Sequence, residues 1–281
     1  MTKTWFITGT SSGLGRLLTE KLLARGDKVA ATVRKSGSLD DLKAQYGDRL
    51  WIGLLDVTET QQIQNVVDAA FADLGHIDVL VSNAGYGLCG AAEELSDTQI
   101  ERQIATNLTG SIQLIRAFLP YFRAQKGGRI VQISSEGGQA AYPGFSIYHA
   151  TKWGIEGFIE SISQEVASFG IDCLIMEPGP TETNFAVGLD LAPPLACYEN
   201  TPVGEIRKVF TSGDFSSGVF IMKSDVAKTI DAMIVAADAD KPPLRLALGS
   251  SAYTSISQAL SERLRVLEEQ KRLTLSADRD S

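Results

Sequence analysis

Cysteine is scarce in this chain. Cys89, Cys173 and Cys197 form no C-x-x-C pair and leave one over. Neither a disulfide framework nor a zinc site is therefore expected, in keeping with a reducing, cytoplasmic setting. Histidine is scarcer still: His76 and His149 have no Cys or carboxylate at ligand spacing, which argues against any metal site. No run of about 20 apolar residues occurs, so no membrane-spanning helix is expected. The N-terminus passes from Met1 into the strand-like Thr4–Thr8, and no signal peptide is expected. Positive charge is also in short supply. Lys and Arg total 26 against 34 Asp and Glu, a net charge of −8, which argues against a general nucleic-acid binder or a polybasic membrane-surface protein.

What is present suits one large core. The chain has 281 residues, 44% of them hydrophobic, and at that size roughly three quarters of the unfolded surface is buried on folding. No Pro/Ser-rich linker, composition break or repeat of 20–50 residues divides it, so residues 1–281 read as a single domain. Charge is uneven along it. Lys3, Arg16, Lys21, Arg25, Lys28, Arg34 and Lys35 face only Glu20 and Asp27 within residues 1–35. An acidic protein thus opens on a basic segment, which suits a small polyanion.

Short apolar runs alternate with helical patterns. The strand candidates are Thr4–Thr8, Lys28–Val33, Leu50–Leu55, Val79–Ser82, Arg129–Ser134, Asp172–Glu177 and Arg245–Leu248. Between them lie helical patterns over Gly13–Arg25, Thr60–Leu74, Asp97–Gln125, Tyr148–Phe169 and Ser224–Ala237. Near-continuous apolar strands suit a parallel sheet covered on both faces. The alternation predicts an α/β fold: one Rossmann-type, doubly wound parallel sheet of about seven strands. The stretch 184–223 carries many Gly and Pro among aromatic and Leu residues without a clear core element, so a substrate lid is expected there. Residues 251–275 form a C-terminal helical extension, with one amphipathic helix predicted over Tyr253–Arg272.

The first strand ends in Gly9-Thr10-Ser11-Ser12-Gly13-Leu14-Gly15, and a helix follows at once. Glycines there let the backbone turn tightly and approach a ligand, while a helix N-terminus offers unpaired N–H groups to phosphate. The spacing is G-x-x-x-G-x-G rather than the general G-x-G-x-x-G. A dinucleotide site is expected at this turn.

T-G-x-x-x-G-x-G resembles the cofactor turn of the short-chain dehydrogenase/reductase family. The family's other motifs follow in its order: Asn83-Ala84-Gly85 after strand four, Asn107 in the next helix, Ser135 after strand five, Tyr148-x-x-x-Lys152, and Pro178-Gly179 after strand six. The resemblance covers residues 3–250. It implies an NAD(P)-dependent oxidoreductase that interconverts a carbonyl and an alcohol by hydride transfer. It further implies that Asp56 and Val57 contact adenine, that Asn83, Ala84 and Gly85 line the adenosine and ribose side, and that Pro178, Thr181 and Thr183 hold the carboxamide. NAD-preferring members end strand two with an acidic residue; here Arg34 and Lys35 stand there. Arg34, helped by Ser12 or Lys35, is the candidate for the 2′-phosphate of NADP, because a guanidinium pairs with phosphate by charge-assisted hydrogen bonds.

Tyr148 and Lys152 lie four apart and share one helix face. A tyrosine near its ordinary pKa of about 10 is a poor acid or base at neutral pH, and a nearby ammonium should lower it toward working pH. In the family's roles Tyr148 transfers the proton, Lys152 lowers its pKa and binds the ribose, Ser135 orients the substrate, and Asn107 holds a water linked to Lys152. Ser134 is the rival hydroxyl, but adjacent strand residues face opposite sides. His149, inside this helix, could line a cavity but is expected to be packing or to face solvent. The aromatic 184–223 stretch favours an apolar substrate, and the whole resembles the hydroxysteroid and retinol-dehydrogenase branch. Family members commonly associate through the Asp97–Gln125 and Tyr148–Phe169 helices, so a homodimer or homotetramer is expected. Two rival functions remain: a non-catalytic NADP sensor on this fold, and an epimerase or dehydratase.

Overall fold

The computed structural model describes residues 2–181, 185, 188–215 and 222–279. Seven strands build the central sheet: β1 (Thr4–Thr8), β2 (Lys28–Val33), β3 (Leu50–Leu54), β4 (Val79–Ser82), β6 (Gly128–Ile133), β7 (Ile171–Pro178) and β9 (Arg245–Leu248). A two-residue pair, β5 (Leu88–Cys89) and β8 (Asp190–Leu191), stands apart from it. The spatial order is β3-β2-β1-β4-β6-β7-β9, with every neighbour parallel. The chain winds outward from β1 in one direction and then returns to continue from β4 in the other. Ligands in such sheets bind beyond the strand ends at that reversal.

Helices α1 (Gly13–Arg25), α2 (Asp40–Tyr46) and α8 (Val226–Asp238) cover one face, and α3 (Thr60–Leu74), α5 (Gly110–Ala124) and α6 (Ser146–Val166) the other. The side-chain alternation of β1 feeds both layers. Trp5 and Ile7 pack with Leu18, Leu22 and Leu23 of α1 and Met233 of α8. Phe6, pointing the other way, meets Phe118 of α5 edge to face at 4.9 Å. This is the doubly wound α/β sheet that the apolar runs predicted, because both faces need cover.

Three local expectations are corrected. The predicted Asp97–Gln125 helix is α4 (Asp97–Ile104), a π-helical turn over Ala105–Thr109, and α5. The widened turn lies where Gly110 presses on the Val57 carbonyl oxygen, which a methyl group there would approach to 2.5 Å. The stretch 184–223 does contain a core element: α7 (Pro202–Ser212) buries Val203, Ile206 and Val209. Its Arg207 pairs with Glu94, whose side chain is wholly buried. The C-terminal helix breaks at Gln270 into α9 (Ser250–Glu269) and α10 (Lys271–Leu275).

Candidate active site

The turn after β1 is built for close approach. Gly9 and Gly13 hold φ of +69° and +58°, a left-handed backbone that glycine adopts without strain. A side chain on Gly15 would strike the Gly9 carbonyl oxygen and lie 2.5 Å from Asn83 Nδ2. Asn83 in turn donates to the carbonyl oxygens of Thr8 (2.8 Å) and Gly9 (3.1 Å). Thr8 Oγ1 accepts from the amides of Asn83 and Ala84, each at 3.0 Å. The two turns that flank the reversal point are thus stitched into one unit. Ser12 precedes the first turn of α1 without capping it by its side chain, and that turn contains no acidic residue. The donor set and the glycine cradle fit a dinucleotide's phosphates.

A cleft of about 650 Å³ runs from this turn across the carboxyl ends of the strands. Its walls include Gly9, Ser11, Ser12, Gly13 and Leu14 of the turn, with Arg34 beyond β2 and Asp56 and Val57 beyond β3. Asn83, Ala84 and Gly85 follow β4, and Pro178 and Thr181 follow at the end of β7. Three predicted residues stand behind the wall instead. Thr10 is buried with its hydroxyl donated to the Thr32 carbonyl oxygen at 3.0 Å. Gly15 packs under Gly9, and Asn107 braces the loop after Gly85. Thr183 lies outside the described residues, as does Glu182.

The basic opening segment divides in two. Lys3 and Arg25 pair with Asp238 of α8, Lys21 pairs with Asp231, and Arg16 pairs with Glu20 and Asp41. These four charges are spent on the protein's own surface, which corrects the reading of the whole segment as a polyanion receptor. Arg34, exposed at the cleft edge, has no ion pair or hydrogen bond among the described residues. Across from it, Asp56 is pushed up by burial but held below the usual carboxylate range overall. The Thr58 amide and hydroxyl, at 3.0 and 2.8 Å, and then the charges of Arg34 and Arg102 do this.

Ser135, Tyr148 and Lys152 meet on the cleft wall at the end of β6. Ser135 Oγ accepts from the Gly137 amide at 3.1 Å, which fixes the hydroxyl at the mouth of a short helical turn, Glu136–Gly138. Lys152 Nζ donates to the Ile133 carbonyl oxygen at 3.0 Å and stands 5.6 Å from the Tyr148 ring centre. Burial pushes the Tyr148 hydroxyl up to about 12, with the Ser135 hydrogen bond opposing and Glu136 and Glu156 reinforcing. Burial draws Lys152 down to about 8, against the pull of Glu156. The expected lowering of Tyr148 is therefore not present in the chain by itself. The ammonium is engaged with a backbone carbonyl and is itself disfavoured by burial.

Asn107 stands beside the cleft with its side chain on the backbone of Tyr86. Its Oδ1 accepts from the Tyr86 amide (3.1 Å) and its Nδ2 donates to the Tyr86 carbonyl oxygen (2.8 Å). Each end of the side chain thus engages the backbone of Tyr86, bracing the loop after β4. Ser134, the rival hydroxyl, donates to Glu156 in the interior. Glu156 sits one turn beyond Lys152 and also accepts from Gln139 and Arg245. The sequence reading missed this carboxylate, although its place four residues after Lys152 was a usable signal.

At its far end the cleft turns aromatic. Tyr142, Phe145, Phe185 and Phe210 line it, and the Phe185 ring centre lies 5.8 Å from that of Tyr148. His149 packs against Tyr142 at 4.4 Å, and burial lowers its pKa to about 4. Of packing and solvent, the two places expected for it, it takes packing. Among the described residues no group of three metal-ligating side chains occurs, and no helix is long and apolar enough to cross a membrane.

Residues 3–192 match the family model of the short chain dehydrogenases. The chain is 36% identical to Oxidoreductase BOA17 of Botryotinia fuckeliana, over 92% of this chain and 93% of that one. It superposes with a TM-score of 0.89 on a short-chain dehydrogenase from Streptomyces avermitilis, 37% identical, covering 99% of this chain and all of that one. A short chain dehydrogenase from Burkholderia cenocepacia, in complex with NADP, superposes at 0.73 with 25% identity over 97% of each chain. By fold, by motif and by these likenesses, the chain is an oxidoreductase of the short-chain dehydrogenase/reductase family.

Proposed function

We propose that this enzyme interconverts a carbonyl and an alcohol on a small apolar substrate, with NADP(H) preferred over NAD(H). One observation carries the reading: the Ser135, Tyr148 and Lys152 side chains share a single cleft with the glycine turn and with Arg34. Gly9, Ser11, Ser12, Gly13 and Leu14 would hold the pyrophosphate, and Asp56, Val57 and the Asn83–Gly85 turn the adenosine side. Pro178 and Thr181 would hold the carboxamide end, and Arg34 the 2′-phosphate. The relative from Burkholderia, bound to NADP, supports this cofactor. When bound, the dinucleotide supplies or accepts the hydride.

The chain's own residues handle the proton and the oxygen. With its pKa pushed up to about 12, Tyr148 is a protonated phenol at neutral pH, poised to give the proton from Oη to a carbonyl oxygen becoming an alkoxide. Ser135, its Oγ already accepting from Gly137, has its own O–H to donate to that same oxygen. The Lys152 ammonium, 5.6 Å from the Tyr148 ring centre, would offset the negative charge left on the Tyr148 oxygen until that oxygen is reprotonated. Tyr142, Phe145, Phe185 and Phe210 exclude water around the reacting carbon, and their rings select an apolar body for the substrate. The described part of the 184–223 stretch supplies two of these rings, in keeping with a substrate-covering role.

The test is stoichiometric consumption of NADPH against a panel of aldehydes, ketones and quinones, with Tyr148→Phe in parallel. Net oxidation in the parent protein, reduced about 10²-fold or more by Tyr148→Phe, supports the reading. NADPH binding without net turnover would point instead to a sensor or an epimerase.

A further inference from the structure

The C-terminal helix α9 reaches the reacting centre from outside the cleft. Its first turns bury Ala252 and Ile256. From the same face, Ser251 Oγ donates to the Glu136 carboxylate at 3.2 Å, and Ser255 hydrogen-bonds it as well. Glu136 is only 5% exposed and directly follows Ser135. Among the described residues it has no cationic partner, and these two hydroxyls are the side chains that satisfy it. Two turns on, Arg263 Nη2 donates to the Gln139 carbonyl oxygen at 2.9 Å and lies over the Trp153 ring at 5.0 Å. Trp153 adjoins Lys152. Residues 136–139 are therefore gripped from α9 at both ends.

On its other side this short turn rests on α6. Gln139 Nε2 donates to Glu156, and the Gly138 backbone lies so close to the Glu156 carboxylate that a methyl group there would overlap it and stand 2.8 Å from Ser134 Oγ. The turn is held between two helices with no slack. Ser135 Oγ takes its direction from that turn, through the Gly137 amide at 3.1 Å and the bond from the Gly138 amide to the Ser135 carbonyl oxygen at 2.9 Å.

We infer that α9 is a positioning element for the reaction, in which Ser251, Ser255 and Arg263 set the Ser135 hydroxyl by holding Glu136 and Gln139. This rests on the role proposed above for Ser135. The helix is more than a terminal addition to the sheet: it forms the outer jaw of the turn that aims the substrate-orienting hydroxyl. Of the dinucleotide side, Gly179 in the proposed carboxamide turn backs onto Ser251 and Ala252, so the effect should fall chiefly on turnover and at most weakly on cofactor binding.

The experiment compares Ser251→Ala/Ser255→Ala, Arg263→Met and Arg263→Lys in the full chain. Kinetics, dinucleotide affinity and amide exchange across residues 135–140 of the ligand-free protein are measured. The double serine variant should lower kcat about tenfold, the worth of roughly one hydrogen bond to a charged group. Dinucleotide affinity should stay within about twofold of the parent, and exchange at Gly137 and Gly138 should rise while the sheet stays protected. Arg263→Lys should retain more turnover than Arg263→Met. Unchanged kcat and exchange in these variants would overturn the inference, as would a parallel fall of kcat, cofactor affinity and overall protection. Ser135→Ala separates the two levels. If it loses turnover and the α9 variants do not, only the role of α9 fails; if it keeps turnover, the role of Ser135 fails with it.

Discussion

Ser134 and Ser135, neighbours in the chain, send their hydroxyls to opposite sides of the sheet's edge. Ser134 Oγ donates inward to Glu156, while Ser135 Oγ accepts from Gly137 at the cleft wall. The two substitutions should therefore separate cleanly. Ser135→Ala removes a donor aimed where charge develops and should lower kcat about 10²-fold with little change in stability. Ser134→Ala leaves the buried Glu156 one donor short, costing about 1–2 kcal/mol of stability with kcat within a few-fold. Urea denaturation and initial rates on the two variants check this. The opposite pattern would reverse the assignment.

Arg34 has no ion pair among the described residues at the cleft edge, while Lys3, Arg16, Lys21 and Arg25 are paired on the protein's own surface. Arg34→Asp should raise the KM for NADPH roughly 10–100-fold, as expected for a lost charge-assisted contact and a new repulsion. The KM for NADH should stay within a few-fold. Equal effects on the two dinucleotides would remove Arg34 from the 2′-phosphate.

His149 gives a pH signature. Its folded pKa of about 4 lies below the ordinary 6.5 because burial disfavours the charged ring. Between those values the unfolded chain binds more protons than the folded one, so stability falls as pH drops from 6.5 toward 4. The full loss is up to about 3 kcal/mol. His149→Leu should flatten this limb of a melting-temperature profile. If parent and variant lose stability in parallel over that range, the ring is not responsible.

Glu94 fastens three stretches of chain. It accepts from the amides of Ala91 at 2.7 Å and Leu195 at 2.8 Å and from Arg207 of α7. Burial raises its pKa, but those amides and the guanidinium outweigh it and keep the carboxylate ionised. Arg207→Met strands a buried charge and should cost about 3 kcal/mol; Glu94→Met with Arg207→Met should cost less, because no charge is left unpaired. Denaturant midpoints decide it, and an equal or larger loss in the double variant would refute the buried pair as the cause.

The sheet was legible because both its faces are covered, which makes each strand a continuous apolar run, and because Gly9, Gly13 and Gly15 have steric reasons to be glycine. The meeting of Ser135, Tyr148 and Lys152 in one cleft was legible through spacing, since Tyr148 and Lys152 share a helix face and Ser135 follows a strand. The commitments of Asn107 were not, since a side chain that binds the Tyr86 peptide and one that binds water look alike in sequence. The direction of the Tyr148 shift depends on burial and on Glu136 and Glu156, groups brought in by packing. Helix α7 was hidden because its three buried apolar side chains, Val203, Ile206 and Val209, sit among Gly and Pro, and its anchor, Glu94, lies more than a hundred residues away.

The stitching of Gly9, Gly15 and Asn83 has an energetic consequence. The two turns lie some 75 residues apart in the chain, yet a change in one alters the shape the other must fit. Substitutions at Gly15 and Asn83 should be strongly non-additive, with a double-mutant coupling of about 1 kcal/mol or more. Each single change in the glycine turn or the Asn83-Ala84-Gly85 turn should therefore cost more than the same change made with a matching one in the other. What one turn tolerates is then set by what stands in the other.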